Sequence, residues 1–328
     1  MAEKLQIGIA GYGNLGKGAE RSIGLNNDME LKVIFTRRDP STMKTSQSNA
    51  VFKRMEDVDH YVGKLDVMIL CGGSATDLPE QGPQLAAKFN IVDSFDTHAK
   101  IPEYFAAVEH AAQAAKTTAV ISAGWDPGLF SLIRVLGDAV IPDGKNYTFW
   151  GPGVSQGHSD AIRRIPGVMD ARQYTVPIEH AVDLVRSGVN TELSTRDKHL
   201  RDCYVVAEPG ADLNQIRTAI VTMPNYFADY ETKVNFVSEE ELRNKHHGLP
   251  HGGFVLRSGR TSPEHKELIE FKLRLDSNPE FTSSVLIACA RAAVRMAHEK
   301  NFGAKTMFDI PFAYLSARSA EELRRDFL

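Results

Sequence analysis

Along the first 125 residues, short continuous apolar runs alternate with stretches of helical spacing. Leu5–Ala10 is such a run, and helical periodicity follows it over Asn14–Leu25. Leu31–Phe35, Val67–Cys71, Ile91–Asp93 and Thr118–Ser122 repeat the apolar run. Runs of this kind suit parallel strands buried on both faces. Helices are expected over Leu78–Phe89 and Pro102–Ala115, with Pro79 and Pro83 confining the regular part of the first to its second half. Pro40–Ala50, rich in Ser, Thr and Asn, reads as a surface loop. Near Leu129–Leu136 a further helix is expected, with Asp126 as its N-cap and Pro127 at its first position. Strands and helices in alternation predict a Rossmann-like, doubly wound parallel sheet.

Beyond this the pattern changes. Strands fit Tyr147–Trp150, Arg172–Val176, Asp202–Val206 and Lys233–Val237, with helices at Glu179–Arg186 and Leu213–Thr222. Ser238-Glu239-Glu240-Glu241 has the form of a capping box. Ile269, Phe271, Leu273 and Leu275 alternate with charged residues, as on a strand with one wet face. A long helix, Phe281–Lys300, and a short one from Ser319 end the chain. Gly151–Asp160 is glycine-rich, polar and too long for a simple turn, so it reads as a functional loop. The fold class expected is α/β: a dinucleotide-binding domain over 1–127, with the helices of 279–328 packing back onto it. An α+β domain with a mixed sheet is expected over 128–278.

Composition narrows the setting. A chain of 328 residues can bury a sizeable core, and 42% hydrophobic with 24% charged residues is ordinary for a soluble globular protein. Net charge is −4 with no basic tract, which argues against a nucleic-acid partner. No apolar run is long enough to span a bilayer, and the N-terminus leads almost directly into a strand, leaving no room for a signal peptide. Cys71, Cys203 and Cys289 are far apart, so a reducing cytoplasm is the expected compartment.

Candidate chemistry gathers at the strand ends. Gly11-Tyr12-Gly13-Asn14-Leu15-Gly16 stands between the first strand and its helix. There the glycines allow a tight turn, close approach of a pyrophosphate and close helix packing. The second strand runs into Thr36-Arg37-Arg38, where an NAD site would carry Asp or Glu. A hydroxyl and two guanidinium groups suit the extra phosphate of NADP, and Asp39 falls beyond the strand end. Gly72-Gly73-Ser74 follows the third buried run, while Asp96 and Asp126 follow the next two. Ligands of such sheets sit beyond these carboxyl ends. His246, His247 and His251 fit a histidine donor in a substrate loop, a solvated loop or, less well, zinc, because glycine and proline break any helical register.

The stretches GYGNLG, TRR, CGGSATDLPEQ, DSFDTH, SAGWDPG, TFWGPGVSQGHSDAIRRIPGV, MPNYF, LPHGG and DSNPEFT carry a resemblance over nearly the whole chain. It resembles the meso-diaminopimelate D-dehydrogenases. The resemblance implies reversible NADP-dependent deamination at the D-centre of meso-2,6-diaminopimelate, giving L-2-amino-6-oxopimelate and ammonia in lysine and cell-wall precursor metabolism. It also implies a homodimer or larger assembly whose second domain supplies the substrate pocket and much of the interface. Cofactor contacts are implied for Tyr12, Gly13, Asn14 and Leu15, for Thr36, Arg37 and Arg38, and for Cys71, Gly72, Gly73 and Ser74. The same holds for Ser94, Phe95 and Asp96 and for Trp125, Asp126, Pro127, Gly128 and Leu129. Asp96, Asp126, Trp150, Gln156 and Gly157 match the region around the reacting end of the substrate. Asp96 and Asp126 are the catalytic candidates. Thr175, Arg201, His251 and Asn278 match residues that hold the distal, L-configured end. No metal is implied. Thr36 replaces the usual serine and keeps its hydroxyl.

Two other readings are an NADP-dependent reductase of a different small substrate and a non-catalytic NADP sensor. The first is weakened by the lack of a Glu-Lys-Pro stretch of the sugar-oxidoreductase kind, the second by the dense polar inventory at the strand ends.

Overall fold

The computed structural model describes residues 4–328, which divide into two compact units. One runs as far as Leu132 and takes up the chain again over Pro279–Leu328; the other is Ile133–Asn278.

The first unit is built on six strands in chain order: β1 (Leu5–Ala10), β2 (Met29–Thr36), β3 (Val51–Arg54), β4 (Val67–Leu70), β5 (Ile91–Asp93) and β6 (Thr118–Val120). A late strand, Gly303–Lys305, joins β6, and the sheet continues in the order β6, β5, β4, β1, β2, β3. Every pairing is parallel. Side chains alternate between two cores. Ile7, Ile9 and Ile34 face the long helix Asn278–His298 through Leu286 and Ala290. Val33, Phe35, Met68 and Leu70 face the opposite way, onto Leu85 and Val108 of helices Leu78–Ala86 and Ile101–Ala115. Apolar residues on both faces of one strand are why these runs are continuous.

Two local expectations need correction in this unit. The helix Leu78–Ala86 runs through both prolines, because Pro79 lies in its first turn and Pro83 removes only one interior N–H. The helix after β6 begins at Leu129, so Asp126 does not cap it. Gly128 stands between them at φ +131°, outside the helical region, where a Cβ would overlap the Gly124 carbonyl. Residues Trp125 and Gly128 are instead bridged across a tight turn, with Phe130 N–H donating to Trp125 O at 2.8 Å.

In the second unit the strands are β7 (Asp143–Trp150), β8 (Gly153–Val154), β9 (Val168–Pro177), β10 (His199–Ala207), β11 (Glu231–Phe236), β12 (His251–Arg260) and β13 (Lys266–Leu275). They form a mixed sheet, β11-β10-β9-β8, and an antiparallel sheet, β13-β12-β7. The β10–β11 pair is parallel and its neighbours are antiparallel. Gly151–Asp160 is not an open loop: it contains β8 and the start of helix Gln156–Arg163, whose N-cap Ser155 accepts from His158 N. At the Ser238 helix start only half of the expected box forms, the Ser238 hydroxyl accepting from Glu241 N at 3.1 Å. Among the described residues no helix is long and apolar enough to cross a membrane.

Candidate active site

In the first unit the implied cofactor residues fall at the carboxyl ends of five adjacent strands, β2, β1, β4, β5 and β6. The turn after β1 leads into helix Asn14–Gly24, and a Cβ at Gly16 would overlap the Gly11 carbonyl. Around Gly13 the space is open, and no side chain caps the helix there. No acidic residue stands in its first turn, so its N–H groups and positive dipole end suit an anion.

Arg38 reaches back across this turn, donating from Nη2 to Tyr12 O at 2.6 Å, while its own N–H bonds Thr36 Oγ1 at 3.1 Å. Arg37 pairs with Asp77 at 2.9 Å, but its side chain is 71% exposed, so the pair is weak and exchangeable. Asp39 turns to its own chain, accepting from Ser41 N at 3.0 Å, and these Ser41 bonds hold its carboxyl low. A cleft of about 330 Å³ runs among Gly11, Tyr12, Thr36, Arg38, Cys71 and Asp77. An open glycine turn beside two guanidinium groups fits a dinucleotide with a third phosphate.

Ser74 links this region to β5. Its Oγ accepts from Asp96 N at 2.9 Å and lies 3.1 Å from Thr97 Oγ1. Asp96 is exposed and Asp126, in the Trp125–Gly128 turn, is half-buried. Both follow directly neighbouring strands.

The second unit carries the other candidates. Arg201 on β10 is opposite Thr175 on β9, and only 6% of it is exposed. It donates to the Thr175 hydroxyl, and its guanidinium lies 3.8 Å from the centre of the Tyr230 ring. Its Nε has no hydrogen-bond partner, and among the described residues no carboxylate pairs with it. The segment Trp150–Gly153 is pressed between β9 and β12: a Cβ at Gly151 would overlap Thr175 O, and one at Gly153 would lie 2.6 Å from His251 Cγ. Leu249 bridges Ser277, and Asn278 N donates to Leu249 O at 3.0 Å, which brings Asn278 beside the approach to His251. Gln156 and Gly157 open their helix, with free space around Gly157.

Three histidines here are harder to protonate than a free imidazole. Burial, helped by the charge of Arg201, lowers His158 to about 4 and His199 to about 3, and burial also lowers His251. His199 accepts from Trp150 N at 2.8 Å and stacks on its indole at 5.3 Å. His158 is 2.7 Å from Ser155 Oγ and meets Tyr226 and Phe227 edge-on. His199, His158 and Tyr230 were not among the expected residues. The signal for His199 was present, since it stands two residues before Arg201 and period two puts both on one face of β10.

Known proteins resemble this chain over nearly its whole length. A meso-diaminopimelate D-dehydrogenase from Ureibacillus thermosphaericus is 60% identical over 325 residues, covering 99% of both chains. The chain belongs to the meso-diaminopimelate D-dehydrogenase family. Residues 124–277 also match the family model of the diaminopimelic acid dehydrogenase C-terminal domain. The Corynebacterium glutamicum member of the family, solved in complex with DAP, is 42% identical with a TM-score of 0.92, over 99% of each chain. An engineered D-amino acid dehydrogenase bound to NADP+ is 41% identical with a TM-score of 0.86, over 99% of this chain and all of its own.

Proposed function

We infer that this chain catalyses reversible NADP-dependent oxidative deamination of meso-2,6-diaminopimelate at its D-centre, yielding L-2-amino-6-oxopimelate and ammonia. The observation that carries this reading, beside family membership, is Arg201: a buried guanidinium held by the Thr175 hydroxyl and by Tyr230, with no carboxylate paired to it among the described residues. A buried guanidinium without a carboxylate favours the arrival of an anion. The distal carboxylate of diaminopimelate supplies one, in the forked geometry that guanidinium favours. Neutral His158 and His199 add no competing positive charge.

In this reading Thr175, His251 and Asn278 hold the distal amino-acid group with Arg201. Trp150, Gln156 and Gly157 border the reacting end. Asp96 and Asp126 accept hydrogen bonds from the reacting ammonium and orient its Cα–H; the nitrogen gives up a proton before the hydride leaves, and water hydrolyses the resulting iminium to the ketone and ammonia. Gly13, Asn14 and Leu15 hold the pyrophosphate of NADP, and Thr36, Arg37 and Arg38 its extra phosphate. The stretches Cys71–Ser74, Ser94–Asp96 and Trp125–Leu129 border its other end. Bound there, NADP would supply the hydride acceptor for the substrate carbon. A homodimer in the cytoplasm suits the exposed Val135, Leu136 and Val140 on one helix and the three free cysteines.

The test is NADP reduction with the meso, L,L and D,D isomers of diaminopimelate. Fast turnover is expected for the meso form alone. Equal rates with the L,L isomer would reject the reading.

A further inference from the structure

We propose that Asp93 is a positioning residue that fixes the loops of Asp96 and Asp126 relative to one another. This rests on the assignment of those two carboxylates to the reacting ammonium. Asp93 is the last residue of β5 and is 0% exposed. Its Oδ1 accepts from two backbone N–H groups at once, Phe95 at 2.9 Å and Ser122 at 3.0 Å. The first belongs to the loop of Asp96, the second to the chain just beyond β6 that leads to Asp126. Asp93 O also accepts from Ala123 N at 2.9 Å. One residue thus bolts together the two neighbouring strand ends.

Beyond Asp93 each loop is tied by a further hydrogen bond, through which the constraint reaches the carboxylates. Asp96 N is held by Ser74 Oγ, and the Trp125–Gly128 turn is closed by Leu129 N–H donating to Gly124 O at 3.0 Å. Ser122 sits at φ +53°, a left-handed conformation unusual for a non-glycine residue, and its buried Oγ has no partner. Its backbone bond to Asp93 therefore does the holding. On the far side Tyr104 donates to Asp93 Oδ2 at 2.6 Å and stacks on Phe95, with ring centres 4.1 Å apart. An amide could replace the carboxylate: its oxygen can accept both N–H groups while its NH2 donates to the Tyr104 oxygen. A hydroxymethyl group cannot reach both.

Asp93→Ser and Asp93→Asn separate this role from a merely structural one. Asp93→Ser should lower kcat for meso-diaminopimelate about 10²-fold with the KM for NADP changed less than about threefold, the cost of a small misplacement of reacting groups. Asp93→Asn should recover activity to within about fivefold of the parent, with the same pH profile. A folded Asp93→Ser variant with normal kcat would overturn the proposal, as would an Asp93→Asn variant equally impaired. If Asp93→Ser does not fold, Tyr104→Phe decides: kcat down by about fivefold at constant KM for NADP supports the role, and unchanged kcat rejects it. Asp96→Asn and Asp126→Asn are measured alongside. Normal turnover in both removes the roles given to those carboxylates, whereas their loss with Asp93→Ser unaffected removes the positioning role alone.

Discussion

Arg201 and Thr175 face each other across β10 and β9, and the Thr175 hydroxyl is the acceptor for a guanidinium that has no carboxylate partner among the described residues. Charge-assisted hydrogen bonds contribute about 1.5–3 kcal/mol each. Arg201→Ala should therefore raise the KM for meso-diaminopimelate by roughly 10²-fold, while D-alanine, which has no distal carboxylate, is affected far less. Arg201→Lys should recover only part, because the fork is lost. Equal losses for both substrates would place Arg201 elsewhere in the reaction or in folding.

The two arginines after β2 differ. Arg37 is exposed and paired with Asp77, whereas Arg38 braces Tyr12 O in the glycine turn. Arg37→Ala should weaken NADP binding by roughly tenfold or more and leave NAD unchanged. Arg38→Ala should weaken NADP more and carry a smaller loss for NAD as well. Titration of both cofactors against both variants checks this. Parallel losses for NAD and NADP in Arg37→Ala would contradict the phosphate role.

His199 supports Trp150 through one hydrogen bond and one ring contact. In His199→Leu the Trp150 N–H loses this acceptor, at a cost of about 1–3 kcal/mol. A lower Tm and a raised KM for meso-diaminopimelate are expected, with the KM for NADP unaltered.

The same histidine gives a pH signature. His158 and His199 lie near 4 and 3 in the folded protein, below the ordinary value of 6.5. Between those limits the unfolded chain binds more protons, so stability is full above pH 6.5 and falls as pH drops towards 4. Each histidine accounts for on the order of 3 kcal/mol of that loss by pH 4. Tm measured across this range should decline, and His199→Leu should decline less steeply. An unchanged slope would mean that His199 is not held neutral.

Much of the first unit was legible because its signals are local. Continuous apolar runs and a glycine turn at a strand end specify a parallel sheet and where its ligand lies. The second unit was harder. Strand β12 begins His251-Gly252-Gly253, which reads as loop, yet the glycines are there because β7 and β13 approach closely: side chains would overlap Phe149 O and Leu273 O. Likewise the glycines of Gly151–Gly157 mark close packing and a helix start rather than an open loop. The short edge strand β3 was missed, since only four residues with one half-buried side chain signal it. Neutral histidines and an unpaired arginine depend on burial from distant strands, which no local pattern encodes.

Asp126 lies before Gly128 and the helix that starts at Leu129, so it is not the N-cap residue of that helix. Asp96 is exposed. Asp96→Asn and Asp126→Asn should each keep Tm and NADP binding near normal while turnover falls by roughly 10²-fold or more. Normal turnover in a folded variant would remove that carboxylate from the chemistry.

The central claim is that oxidation occurs at the D-centre of meso-diaminopimelate. Substrate deuterated only at its D-configured carbon tests it directly, with mass analysis of the NADPH formed. The account predicts that the deuterium moves to the nicotinamide ring and leaves the carbon product unlabelled. Unlabelled NADPH, with deuterium retained in the product, would show oxidation at the L-centre and contradict it.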